Sequence, residues 1–252
     1  MLTTGIDWGS QTVKVVVFDA ADKKVLSKDM DVITDNSTWE KVFERALDRA
    51  GCSLSDIDHI VSSGVGGKQI KRADTYLTDV VCGAKGAVFS NPSVRRIVDI
   101  GAEKCLAMSC DENGKVQDFV TNDKCASGTG MFLDTAAGML QVKIEDIGEL
   151  SLQAKKELNM DLVCAIFAES EIVSQIHKGE AASDILKAIH TSICQRAYSL
   201  LDRLGTEQGI MAIGGVAQNV GMLNELKAQI GDIIVCEDPC FVTALGAAIS
   251  AE

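Results

Sequence analysis

The sequence predicts an α/β protein of two lobes. Three observations predict it. Short runs rich in β-branched residues end at glycine-bearing turns, helices with a clear apolar stripe separate those runs, and the pattern that begins at residue 2 restarts at residue 96. Residues 2–7 form a short apolar strand, Gly9-Ser10-Gln11 a turn, and residues 12–18 (TVKVVVF) a second strand; residues 24–30 supply a third. Residues 37–50 place Trp39, Val42, Phe43, Ala46 and Leu47 on one helical face, and a strand at 57–62 ends at Gly64-Val65-Gly66-Gly67. The restart gives strands at 96–100, 104–110 and 115–120, then helices at 130–140, 164–178 and 183–204. A strand at 209–213 ends in Gly214-Gly215 and is followed by a helix; a late strand at 233–236 and a small-residue helix at 243–251 close the chain. Two lobes, 1–95 and 96–252, each open with a small sheet and a glycine turn just after an Asp: Gly5-Ile6-Asp7-Trp8-Gly9 against Val98-Asp99-Ile100-Gly101.

Composition narrows the functional classes. With 252 residues, 46% of them hydrophobic, the chain can bury real cores, and it is not a disordered sequence. No run approaches the ~18 apolar residues of a membrane span. The segment MLTTGIDWGS lacks a basic region leading into an apolar run, so a cytoplasmic location is expected. A net charge of −12 argues against nucleic acid as a partner, since such binding draws on phosphate neutralisation. Nine cysteines without any CxxC, odd in number and irregularly spaced, disfavour a disulfide framework. His59, His177 and His190 are scattered, as packing or surface residues are.

The glycine turns read as a phosphate site. At Asp7-Trp8-Gly9-Ser10, Asp99-Ile100-Gly101 and Gly214-Gly215-Val216, backbone amides can face a phosphate with no side chain intervening. Asp7 and Asp99 at strand ends can hold the water shell of Mg²⁺, and Ser10, Gln11, Thr12 and Lys14 add donors. Neither common alternative fits. The sequence around Lys68 lacks the first glycine and the terminal hydroxyl of a Walker A loop, and no GxGxxG follows the first strand.

GIDWGSQTVKVVVFD resembles the first phosphate motif of the actin, sugar kinase and Hsp70 ATPases; VDIGAEK resembles their second, IGGVAQN their adenosine motif and TALGAAISA their closing helix. The resemblance spans the chain. It implies a two-lobed actin-like (ribonuclease H-like) ATPase fold with a duplicated βββαβα unit, with ATP and Mg²⁺ in the cleft and Gly9, Gly101, Gly214 and Gly215 on the nucleotide. A small-molecule kinase of the same superfamily and a nucleotide-sensing subunit without hydrolysis are the rival readings.

Two cysteines separate the branches. Cys125 stands in NDKCASGTG just before one helix, and Cys164 at the start of another, where free amides and the helix dipole favour a thiolate. CASGTG followed by VCAIFAESEIVS closely resembles the signature of the ATPases that activate 2-hydroxyacyl-CoA dehydratases, and of the ATPase subunits of benzoyl-CoA reductases. That resemblance implies one [4Fe-4S] cluster held at a dimer interface by Cys125 and Cys164 of two subunits, in a homodimer or heterodimer. It further implies a CoA-thioester dehydratase or reductase as electron acceptor, reduced ferredoxin or flavodoxin as donor, and Glu169 near the nucleotide. Gly101-Ala102-Glu103-Lys104 replaces the family's common Gly-Gly-Gln-Asp, which leaves Glu103 as the residue expected to orient water.

Overall fold

The computed structural model describes residues 1–122, 129–160, 162, 164–206 and 209–251, with the backbone alone for Ile166. Two five-stranded sheets organise it. The first contains β1 (Leu2–Trp8), β2 (Thr12–Asp19), β3 (Lys24–Val32), β4 (Ile57–Ser63) and β5 (Thr75–Tyr76) in the order β3-β2-β1-β4-β5. The second contains β6 (Arg96–Ile100), β7 (Cys105–Cys110), β8 (Val116–Asn122), β9 (Ile210–Ile213) and β10 (Ile233–Val235) in the order β8-β7-β6-β9-β10. In both, the first three strands form an antiparallel meander and the fourth runs parallel to the first. The restart read from two short motifs is thus a repeat of topology, strand for strand.

Eight α-helices pack around the sheets. They are α1 (Thr38–Ala50), α2 (Asp79–Ser90), α3 (Gly130–Leu140), α4 (Ile147–Ser151), α5 (Ala165–His177), α6 (Ala182–Asp202), α7 (Val220–Ile230) and α8 (Val242–Ala248) among the described residues. Helix α1 buries Trp39, Val42, Phe43, Ala46 and Leu47 against the β1 and β2 residues Ile6, Val13, Val15 and Val17. Each large apolar side chain so buried contributes about 1.5–3 kcal/mol. Helix α6 carries Ile185, Leu186, Ile189, Ile193, Ala197 and Leu201 into the core behind the second sheet.

Two helices cross between the halves. Helix α2, which follows the first sheet in sequence, packs Ala84, Ala87 and Val88 against Ile97, Leu106, Met108 and Met211 of the second sheet. Helix α8, last in the chain, lies under the first sheet: Ala244 and Ala248 meet Val16 and Phe18, and Thr3 Oγ1 donates to the Ala248 carbonyl at 2.9 Å. The crossing depends on glycine, because a Cβ on Gly246 would come 1.7 Å from the Cys82 carbonyl oxygen and one on Gly86 2.0 Å from that of Val242. Sequence periodicity gives no helix at α2. Its residues Cys82, Gly83, Ala84, Gly86 and Ala87 are small and buried, so the segment has no polar face to give a helical stripe. Cys105 and Cys110, five apart on β7, enter the cores on opposite faces of the sheet.

Candidate functional site: the cleft between the sheets

A cleft of about 760 Å³ opens between the two sheets, lined by the turns at the ends of β1, β4, β6 and β9. The two halves build it alike. In the first, the Gly9 amide donates to the Thr12 carbonyl at 3.0 Å, closing the β1–β2 turn; in the second, the Gly101 amide donates to the Lys104 carbonyl at 2.8 Å. Asp7 and Asp99 sit two residues before those glycines, and each is overlain by a glycine from the neighbouring parallel strand. Gly64 (φ 82°) lies where a Cβ would come 2.6 Å from Asp7 Oδ1, and Gly214 (φ 91°) where one would come 2.4 Å from Asp99 Oδ1. Positive φ and close approach both demand glycine at these two positions.

The electrostatics of the halves differ. Lys14 is paired opposite Asp7 in the β1–β2 register, with Nζ 3.4 Å from Oδ2. The position opposite Asp99 is Leu106, which is buried. Desolvation, reinforced by the negative charges of Asp79 and Asp7, pushes the Asp99 carboxyl up to about 7; Lys104 and Lys14 only partly oppose this.

Of the residues expected from sequence, Asp7, Gly9, Ser10, Gln11, Thr12, Lys14, Asp99, Gly101, Glu103, Gly214 and Gly215 all line this cleft. Glu103 is exposed there. Glu169 is exposed on α5 and is not among the residues lining this cleft. Cys164 is the N-cap of α5, its side chain half-buried and its carbonyl accepting from the Ala168 amide at 2.8 Å. Cys125 lies outside the described residues. Burial pushes the thiols of Cys82 and Cys105 up to about 12, which marks them as core-filling.

Three cleft residues were missed. Asp79, at the start of α2, forms an ion pair with Lys104; its one sequence signal was Thr78, whose side chain caps the helix by accepting from the Val81 amide. Asp134 on α3 accepts from Gln11 Nε2 at 2.9 Å, joining the first turn to a helix of the second half. Asn219 caps α7: its Oδ1 accepts from the Met222 amide at 3.1 Å, while its Nδ2 lies 3.4 Å from His190 Nε2. The amide must therefore donate to that nitrogen, which leaves the ring proton on Nδ1. His190 is fully buried, and burial depresses its value to about 4.

The start of α3 is tied to the second turn. The Gly130 amide donates to the Gly101 carbonyl at 2.9 Å and the Met131 amide to that of Ala102 at 2.8 Å. Two of the amides that a helix start leaves without a partner are thereby satisfied by the turn. Together, the paired turns, the two strand-end aspartates and the Gly214-Gly215 approach suit a polyanion carried with a divalent cation.

Residues 4–251 match the BadF/BadG/BcrA/BcrD ATPase family. The chain is 34% identical over 252 residues to the 2-hydroxyisocaproyl-CoA dehydratase activator of Clostridioides difficile, covering all of this chain and 95% of that one. It is 34% identical over 235 residues to a benzoyl-CoA reductase subunit of Thauera aromatica, covering 91% of this chain and 83% of the relative. The structure of the activator of the 2-hydroxyisocaproyl-CoA dehydratase from Clostridium difficile with bound ADPNP aligns with a TM-score of 0.95 at 33% identity, covering 100% of this chain and 94% of that one.

Proposed function

The chain belongs to the BadF/BadG/BcrA/BcrD ATPase family, and on that footing we propose that it is an ATP-dependent activator, feeding low-potential electrons to a CoA-thioester dehydratase or reductase. That it is an ATPase follows from the family and from relatives such as the activating ATPase of (R)-2-hydroxyglutaryl-CoA dehydratase in Acidaminococcus fermentans. The electron-transfer step rests on the observation that α3, which begins five residues after Cys125, is hydrogen-bonded through Gly130 and Met131 to the Gly101–Ala102 turn. A change at the turn is transmitted to the helix behind that cysteine.

In this reading the amides of the Gly9 and Gly101 turns and the Lys14 ammonium hold the phosphates, and Gly214-Gly215 lies against the nucleoside. Asp7 and Asp99 hold magnesium through its water shell, and Glu103 orients the attacking water. Gln11 and Asp134 hold the two halves together across the cleft, and the Gly101–Gly130 contact carries closure into α3.

Cys164 fits an iron–sulfur ligand, being half-buried at a helix start where free amides favour a thiolate. Cys125 and Cys164, with the same pair from a second subunit, would complete a Cys₄ set for one [4Fe-4S] cluster. When bound, the cluster supplies one-electron transfer. Its electron comes from reduced ferredoxin or flavodoxin. No helix among the described residues is long and apolar enough to cross a membrane.

Anaerobic iron and sulfide analysis alongside the mass in solution tests this. The expected result is about four irons per two chains, lost in Cys125→Ser and in Cys164→Ser. An iron-free monomer that transfers phosphate to a small molecule would replace this reading with a kinase.

A further inference from the structure

Among the described residues, Lys14 and Lys104 are the two basic side chains lining a cleft whose other charged side chains are carboxylates. A nucleoside triphosphate brings about four negative charges, and its terminal phosphate adds nearly two of them. Lys14 is held by the first half, opposite Asp7. The second half has no lysine at the matching place, where Leu106 faces Asp99. It carries one two residues earlier instead: Lys104, whose carbonyl closes the Gly101 turn and whose half-buried side chain rests on Asp79.

We propose that Lys104 is a terminal-phosphate ligand and sets the preference of the cleft for a triphosphate over a diphosphate, with Asp79 holding it in readiness. The inference rests on the reading of the cleft as the ATP site. The geometry supports a transfer of Lys104 from carboxylate to phosphate. Its backbone is fixed by the Gly101 hydrogen bond, so only the flexible stem moves. Asp79 is anchored at the first turn of α2, where its Oδ1 accepts from the Val80 amide at 3.0 Å, so the carboxylate stays when the lysine leaves. Lys104 and Lys14 both act on the Asp99 carboxyl, as do Asp7 and Asp79. All five groups line the same cleft, and a hydrated divalent cation bound there frees the ammoniums to face phosphate.

The experiment measures the affinities of ADPNP and ADP, each with Mg²⁺, for the wild type, Lys104→Gln, Lys104→Arg and the double variant Lys104→Gln/Asp79→Asn. Lys104→Gln is expected to weaken ADPNP about ten- to a hundredfold while moving ADP by less than about threefold, with Lys104→Arg close to wild type. The double variant removes the carboxylate left unpaired by the single one, and it is expected to keep the ADPNP defect. Equal weakening of both nucleotides, or recovery of ADPNP affinity in the double variant, would overturn the proposal by reducing Lys104 to a partner for Asp79. Since the readout is nucleotide affinity, it holds even where iron analysis fails to find a cluster.

Discussion

The amide of Gly130 donates to the carbonyl of Gly101 at 2.9 Å, so the first residue of α3 is bonded to the glycine turn that faces the cleft. One peptide group thereby belongs to two sites: a cleft built for a polyanion, and the start of a helix five residues beyond Cys125. Each side of that link is open to measurement.

The Gln11–Asp134 hydrogen bond spans the cleft and is exposed. Its loss in Gln11→Ala should cost less than about 1 kcal/mol of stability, because water replaces the partner. Triphosphate affinity should nevertheless fall about three- to tenfold by calorimetry, since the closed cleft loses a tie. Asp134→Asn, which keeps an acceptor oxygen, should bind as the wild type does.

Two adjacent glycines should respond in opposite ways. Gly214→Ala puts a Cβ 2.4 Å from Asp99 Oδ1 at a φ of 91°, and thermal unfolding should show a loss of about 3 kcal/mol or more together with the loss of nucleotide binding. A Cβ on Gly215 meets nothing within 4 Å. Gly215→Ala should keep its stability and lose affinity only to the extent that the nucleotide needs that space.

With Asp99 raised to about 7, the proposed magnesium–nucleotide binding should depend on pH. A cation requires the ionised carboxylate, so below pH 7 it must displace a proton; affinity should fall up to about tenfold per pH unit as pH drops, and level off above 7. For folding of the nucleotide-free chain the sign is opposite. The fold binds this proton more tightly than the unfolded chain, so the contribution is present at acid pH and lost as pH rises to about 7. Titrations of affinity from pH 5 to pH 8 should show a steeper slope in the wild type than in Asp99→Asn, where only the terminal phosphate still titrates.

His190 gives a second pH effect. Its folded value of about 4 lies below the ordinary 6.5, so the unfolded chain takes up the proton first as pH falls. Stability contributed above pH 6.5 should decline through that window by up to roughly 3 kcal/mol. Denaturant midpoints should show this decline for the wild type and a flatter profile for His190→Gln.

Much of this molecule was legible because local signals and global fold agree. The apolar stripe on α1, the β-branched run of β2 and the Asp-then-glycine turns each state their element directly. What escaped was decided by tertiary contact. Helix α2 lacks a stripe because it is buried between halves, and it carries Asp79 into a cleft formed mostly by residues distant in sequence. Lys104 stood out as a charge reversal, yet its pairing with Asp79 is a contact across 25 positions that only the fold creates. Gly64 read as the end of a strand; its equivalence to Gly214 emerges from two sheets of the same order.

The most direct test of the central claim, that the cleft controls the cysteine site, is the EPR spectrum of the anaerobically reduced protein with ADP and with ADPNP. The account predicts the signal of one cluster per two chains whose shape changes between the two nucleotides. Identical spectra would contradict the coupling through Gly101 and Gly130, and a protein without iron would contradict the electron-transfer function itself.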